Sequence, residues 1–277
     1  MPAKLAAMIN MKGGVGKTTL SFNLGYFLAE KRGKRVLLVD LDPQANATIV
    51  STEPAAFEIH RQTKKTIADV FIDAFRAYGP IRDATPPPID INKFLYSIYS
   101  ANGGPGRFDL IPSELILSSV LRGMTLGPYD LEGLISDPVR AAYDYILIDC
   151  APTYSSLTTV ALNTAKAVII PMIADTFGAY GTKLMKTVLE EHEHDFGITT
   201  KVVGVVFTMW DGNANQVQQS TEIVREWTAA NVFTAKISKN EWYKVANGKR
   251  QPIWETSAHT KHRKEFEEFV DEFEKKA

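Results

Sequence analysis

Cysteine is almost absent from this chain of 277 residues, Cys150 being the single thiol. An intramolecular disulfide, a four-cysteine zinc site and an iron–sulfur cluster held within one chain are therefore excluded, and a reducing cytoplasm is the expected setting. Long apolar runs are missing too. The longest lies around Ala167 to Ala174, contains Pro171, and falls well short of the about 18 residues that a membrane span requires. Neither sign of charge is in excess, with 31 Lys and Arg against 32 Asp and Glu, so any contact with a polyanion must be local. The first apolar run, Leu5 to Ile9, leads directly into a glycine-rich loop. Neither a secretory leader nor an N-terminal helix-turn-helix is expected before it.

What is present is an ordinary globular composition, 45% hydrophobic and 23% charged. At roughly 150 residues per domain the length fits one large domain or two small ones. Short aliphatic runs alternate with segments of helical period, the pattern of a parallel sheet covered by helices. The expected strands are Leu5 to Asn10, Arg35 to Asp40, Phe108 to Ile111, Tyr145 to Asp149, Ala167 to Met172 and Val202 to Thr208. Expected helices include Thr18 to Lys31, Gly178 to His194 and Asn215 to Ala230. The stretch from Gly79 to Arg107 breaks this rhythm with Pro86, Pro87 and Pro88, then Gly103, Gly104, Pro105 and Gly106. It reads as an excursion on one sheet edge, too short for a core of its own. No internal repeat appears, so a single domain over residues 1–277 is expected.

The chemistry concentrates in Met11 to Thr19, MKGGVGKTT, placed after a buried strand and opening a helix. Gly13, Gly14, Val15 and Gly16 let backbone N–H groups point at phosphate oxygens, and the helix N-terminus favours negative charge there. Lys17 is placed to reach the β- and γ-phosphates. The Thr18 hydroxyl stands where Mg2+ takes a protein oxygen, since this ion keeps waters and phosphates as its other ligands. Thr19 continues the loop into the helix. The fold class is therefore α/β, a mostly parallel twisted sheet with helices on both faces, of P-loop NTPase type. Met11 replaces the first glycine of the usual motif and Lys12 follows it, so two lysines flank one anion. Lys17 serves its own nucleotide, which leaves Lys12 free to reach a phosphate across a subunit boundary.

Lys12-Gly13-Gly14-Val15-Gly16-Lys17-Thr18-Thr19 resembles the deviant Walker A loop of the ParA/MinD family of ATPases. The resemblance implies ATP and Mg2+ as ligands, a sandwich homodimer formed on ATP binding, and a Lys12 that contacts nucleotide in the partner subunit. Asp40-Leu41-Asp42-Pro43-Gln44 is similar to the family's switch I segment, which implies that Asp42 positions the attacking water and that Asp40 lies near the Mg2+ shell; as residues alone, Asp-Pro-Gln is also a good turn. The apolar strand Tyr145 to Ile148 ends in Asp149, the Walker B pattern that sets a carboxylate beside the metal. Asp109 to Ser113, Val168 to Pro171 and Val205 to Met209 also look like segments of the ParA type, in the expected order. Thr208 and Met209 fall where this fold recognises adenine. With one cysteine, nitrogenase-type reductases and iron–sulfur carriers of the same fold are excluded.

Charge distribution bears on the partner. From Asn231 to Lys264 eight basic residues face two acidic ones, and the following tail reverses the sign. Lys236, Lys239, Lys244, Lys249 and Arg250 are the candidate contacts to DNA phosphates, a mode that reads no sequence and, doubled in a dimer, binds nucleic acid generally. The family implies such DNA binding, a nucleoid-associated ATP state in the cytoplasm, and a ParB-like or cargo-adaptor protein that stimulates hydrolysis. Two other readings stay open. A MinD-like ATPase would lay its C-terminus on anionic lipid. Here Phe266, Phe269, Val270 and Phe273 form a stripe whose polar face is acidic, which suits docking on the protein body instead. A small-molecule ligase of the dethiobiotin synthetase type would also carry a phosphate loop.

Overall fold

The computed structural model describes residues 2–79, 87–258 and 260–277. In chain order they form β1 (Lys4–Met8), α1 (Lys17–Arg32), β2 (Arg35–Leu41), α2 (Asn46–Ser51), α3 (Pro54–Thr63), α4 (Ile67–Tyr78), β3 (Tyr96–Ser100), β4 (Arg107–Ile111), α5 (Ile116–Gly123) and α6 (Asp137–Ala142). Then follow β5 (Tyr145–Cys150), α7 (Ser156–Ala165), β6 (Ala167–Ile173), α8 (Thr176–Phe196), β7 (Lys201–Trp210), α9 (Ala214–Trp227), β8 (Val232–Ser238), α10 (Glu241–Lys249) and α11 (Thr260–Lys276).

The strands make one sheet in the order β3-β4-β2-β5-β1-β6-β7-β8, parallel throughout except for β3. Central strands read as unbroken aliphatic runs because both of their faces are covered. Alternate residues divide between two cores: Ala7, Ile9, Leu37 and Val39 pack toward Phe71, Leu117, Leu157 and Val188, while Ala6, Met8, Val36 and Leu38 pack toward α1 and α11. The six expected strands are all found, within three residues at each end.

Two strands escape the periodicity argument, and both lie at sheet edges. β3, which falls within the proline- and glycine-rich stretch from Gly79 to Arg107, is an antiparallel strand on the edge next to β4; Pro80 to Pro86 lie outside the described residues. β8 alternates Thr234 and Lys236 outward with Phe233 and Ala235 inward, as an edge strand with one covered face should. Two of its N–H groups are capped by α11: the Glu272 carboxylate accepts from the N–H groups of Thr234 (2.8 and 3.0 Å) and Ala235 (3.1 Å). Phe266, Phe269, Val270 and Phe273 are all 0–1% exposed against the body, the docked arrangement expected of an acidic-faced helix.

Helix α1 holds the site to the sheet. Leu20, Leu24, Phe27 and Leu28 are buried, and the helix stops at Gly33, which adopts φ 63 where a side chain would be strained. Gly25 faces β4 so closely that a Cβ would sit 2.4 Å from the Phe108 ring. Despite alanine's better helix propensity, Gly25→Ala is expected to destabilise the protein by about 1–3 kcal/mol through overpacking; an unchanged urea midpoint would show that α1 can lift from the sheet at no cost.

Candidate functional site

The phosphate loop crosses the carboxyl ends of the parallel strands, where open α/β sheets bind ligands. Gly14 and Gly16 take φ 74 and 86, left-handed values that explain glycine at both positions. The loop is tied down by Asn10, a residue the sequence motif does not flag. Its side-chain amide donates to the Pro171 carbonyl (2.7 Å) and its carbonyl oxygen accepts from the Lys12 N–H (2.9 Å). The Lys17 ammonium donates to the main-chain carbonyls of Asn10 (2.9 Å) and Lys12 (3.2 Å). Burial lowers the Lys17 pKa, an effect opposed chiefly by the nearby Asp149 charge.

Parallel register brings the acids to this loop. Asp40 on β2 pairs with Asp149 on β5, and Asp149 pairs with Met8 on β1. Asp149 accepts from the hydroxyls of Thr18 (2.6 Å) and Ser21 (3.0 Å). Thr18 and Asp149 thus present hard oxygens side by side, a donor set that fits Mg2+, which takes one or two protein oxygens and fills its shell with water and phosphate. Asp40, expected near the metal shell, lies in register beside Asp149 and has a structural role as well. One of its oxygens accepts from the Thr48 N–H and hydroxyl (both 2.8 Å), the other from the Asp42 N–H (3.1 Å). Its carboxyl is engaged in pinning the segment from Asp42 to Thr48.

Asp42 itself lines the phosphate cleft, a cavity of about 350 Å3 shared with Gly13 to Thr19, Asn46 and Pro152. The turn that presents it is tight: Gln44 N–H donates to the Asp42 carboxylate (2.9 Å), and Ala45 takes φ 53, a left-handed value uncommon outside glycine. Lys12 is held within its own chain. Its ammonium pairs with the Asp175 carboxylate at 2.7 Å and lies 5.4 Å from the centre of the Phe177 ring. Asp175 also caps α8, accepting from the Gly178 N–H.

Beside the loop is a second cavity of about 130 Å3, lined by Gly16, Leu20, Thr208, Met209, Tyr243 and Asn247 among others. Thr208 lines it, and its hydroxyl donates to the Val15 carbonyl (2.9 Å), with the Met172 carbonyl at 3.3 Å, so this side chain also braces the phosphate loop. Met209 has φ 50. The turn after it is closed by Gln216, whose amide donates to the Met209 carbonyl (3.0 Å) and accepts from the N–H of Asp211 (2.8 Å). Ser238, Asn240, Glu241, Tyr243 and Asn247 are polar lining residues that sequence reasoning missed; their one signal is polarity at and within a short helix.

The five candidate DNA contacts fall into different surroundings. Lys244 and Lys249 are exposed on α10, and Lys239 is exposed at the end of β8. Lys236 lies over the Trp210 ring, 4.0 Å from its centre, in a groove shared with Asp211, Glu265 and Glu268. Arg250 reaches toward Glu53 at 3.6 Å. Among the described residues no helix is long and apolar enough to cross a membrane.

Fold and loop together define a nucleotide-binding domain of the P-loop class. A family profile described as an AAA domain matches residues 3–199. The sporulation initiation inhibitor protein Soj of Bacillus subtilis is 32% identical over 255 residues, 90% of each chain. The chromosome partitioning protein ParA of Caulobacter vibrioides is 33% identical over 245 residues, 86% of this chain and 82% of that one. The chain belongs to this family, the ParA/MinD ATPases, and within it to the ParA type. Solved structures agree in fold. An ATP complex of a McdA variant from Cyanothece superposes with TM-score 0.77 at 23% identity, covering 99% of this chain and 96% of that one. MinD of Pyrococcus furiosus gives 0.73 at 20%, covering both chains fully. A cobyrinic acid a,c-diamide synthase from Mycobacterium smegmatis with an ATP analogue and magnesium gives 0.72 at 20%, over 97% and 93%.

Burial, with the neighbouring Asp149 second, pushes the Asp40 carboxyl from 3.8 up to about 8. Burial likewise raises Asp149 to about 6, against the hydrogen bonds from Thr18 and Ser21. Both groups hold protons more tightly folded than unfolded, so their contribution is full below the unfolded value and is lost as pH rises through the folded ones. The nucleotide-free protein is expected to lose stability from about pH 4 to about pH 8 at these two sites, and Asp40→Asn should flatten the upper part of that slope. Urea midpoints across this range check it; parallel profiles for the two proteins would contradict the assignment.

Proposed function

We propose that the protein hydrolyses ATP with Mg2+, forms an ATP-bound sandwich homodimer, binds DNA without sequence preference, and positions a plasmid, chromosome or protein cargo. A ParB-like or adaptor protein would stimulate turnover. The observation that carries this reading is the second lysine: Lys12 directly precedes the loop residues that line the phosphate cleft and is ion-paired with Asp175 rather than lining the cleft itself. A cation that is not needed for its own subunit's phosphates, and whose counterion sits at a helix N-cap, suits exchange onto a phosphate of a partner subunit. The identity to Soj and ParA, names attached to sporulation and chromosome partitioning, supports the cellular role.

In this scheme Lys17 and the loop N–H groups hold the β- and γ-phosphates, and Thr18 with Asp149 would hold Mg2+, which supplies charge neutralisation when bound. Asp42 accepts a hydrogen bond from the attacking water and aims its lone pair at the γ-phosphorus. Lys12 of the partner subunit stabilises charge as the bond to the leaving oxygen breaks. The adjoining cavity takes the base. DNA contact falls to Lys239, Lys244 and Lys249, which are exposed, with smaller shares for Lys236 and Arg250, already engaged with Trp210 and Glu53. The MinD-like lipid reading loses support because the C-terminal apolar stripe is buried.

Lys12→Gln is expected to leave nucleotide affinity within about threefold while lowering ATP-driven dimerisation and turnover by about a hundredfold or more; wild-type turnover would remove the contact across the interface. Asp175→Asn keeps the α8 cap but releases the lysine. It should therefore raise the dimer fraction at limiting ATP by the about 0.2–1 kcal/mol of a part-exposed ion pair, read by light scattering. Gel shifts on random-sequence duplex should rank ATP above ADP and no nucleotide, and affinity should fall steeply with salt. Equal affinity in all three states would contradict a nucleotide switch.

A further inference from the structure

The turn from Asp42 to Ala45 is a partition between two cavities. Asp42 lines the phosphate cleft on one side; Pro43, Gln44 and Ala45 line an open groove of about 470 Å3 on the other, next to Ser113. Within β2 and α2 the turn is held by the Asp40 carboxylate and by the Ala45 N–H, which donates to the Asp42 carbonyl (2.8 Å). Among the described residues a single one from elsewhere in the chain hydrogen-bonds to this turn. Ser113 donates its hydroxyl to the same Asp42 carbonyl (2.9 Å) and its N–H to the Thr48 hydroxyl (2.8 Å).

Ser113 is itself held by a frame that contains no phosphate-binding residue. It lies two positions beyond β4, which pairs with β2 in register up to Val39 and Ile111. On either side of it, the Pro112 carbonyl accepts from the Ile67 N–H (2.9 Å), and the Glu114 carboxylate accepts from the Thr66 hydroxyl (2.8 Å) and pairs with Arg61 (3.1 Å). The group it grips has few other handles. The peptide from Asp42 to Pro43 has no N–H, so its carbonyl is the one polar group by which that peptide plane can be fixed. Fixing the plane fixes the direction in which the Asp42 side chain leaves the turn. Ser113 is 0% exposed and takes no part in lining the cleft.

We infer that Ser113 is the positioning residue for Asp42: by holding the Asp42 carbonyl, its hydroxyl aims the carboxylate that orients the attacking water, without touching the nucleotide. The inference rests on the reading of Asp42 as the residue that positions this water. In-line attack on a phosphoryl group depends on where the water sits, so a small misplacement of its acceptor lowers the rate of the chemical step. Nucleotide affinity is carried by a different part of the fold, the loop and Lys17, which β1 and α1 hold in place. Ser113 therefore acts on turnover and leaves binding alone.

Ser113→Ala and Ser113→Cys both remove the hydroxyl, the second with a thiol that fills the space but donates weakly. Hydrolysis is measured on the full chain with Mg2+ and ATP, at protein concentrations where turnover per subunit no longer rises. Both variants are expected to lower kcat by about ten- to a hundredfold, with KM for ATP and the dissociation constant for ADP within about threefold of wild type. A wild-type kcat in the cysteine variant, or a loss confined to KM, overturns the inference. Asp42→Asn supplies the readout that a general loosening of the fold would not give. Adding Ser113→Cys to it should lower the remaining rate by less than about twofold, because the carboxylate that Ser113 aims is already gone. Equal fractional losses in the two backgrounds overturn the inference. If Asp42→Asn alone hydrolyses ATP at the wild-type rate, the reading of Asp42 fails and takes the inference with it.

Discussion

Two carboxylates inside a dry sheet set the terms for everything around the phosphate loop. Asp40 and Asp149 are fully buried on neighbouring strands and face one another in register. Acids so placed hold their protons more tightly, Asp40 up to about 8 and Asp149 to about 6, and need hydrogen-bond partners around them. For Asp149 those partners are Thr18 and Ser21, which fixes the first turn of α1; for Asp40 they are Thr48 and the Asp42 N–H, which fixes α2 and the turn before it. The two segments that flank the cleft are therefore located by the same electrostatic need. Ser113 extends the arrangement, its N–H donating to the Thr48 hydroxyl and its own hydroxyl to the Asp42 carbonyl.

Much of this was legible in the residues because the physics is local. A parallel strand covered on both faces must be aliphatic along its whole length, so β1, β2, β5, β6 and β7 announce themselves. A loop that turns N–H groups toward an anion must have glycines where φ is positive, and the spacing of Lys12 and Lys17 is visible without coordinates. The edge strands were not legible for the opposite reason. β8 shows a lysine and a threonine on its open face, and Tyr96 to Ser100 lies among turn formers, so neither resembles a covered strand.

Residues whose meaning depends on a distant partner were also hidden. Asn10 acts through Pro171, 161 positions away, and Gln216 shapes a turn from a helix that follows it. Structural roles that tertiary contacts add were hidden as well. Thr208 lines the cavity beside the loop, and its hydroxyl also supports the loop backbone. Asp40 lies in register with Asp149, and its oxygens also organise the turn from Asp42 to Thr48. Lys236 looked like a free cation in a basic run, yet an indole ring and three acids surround it. A run of like charge in a sequence describes composition, and only packing decides which members face water.

The carboxylate of Glu272 closes the backbone of β8 as a further strand would, while carrying a negative charge that no incoming strand could displace cheaply. Strand addition across Thr234 and Ala235 would first have to displace that carboxylate, which makes this part of the edge a poor template for joining the sheets of neighbouring copies.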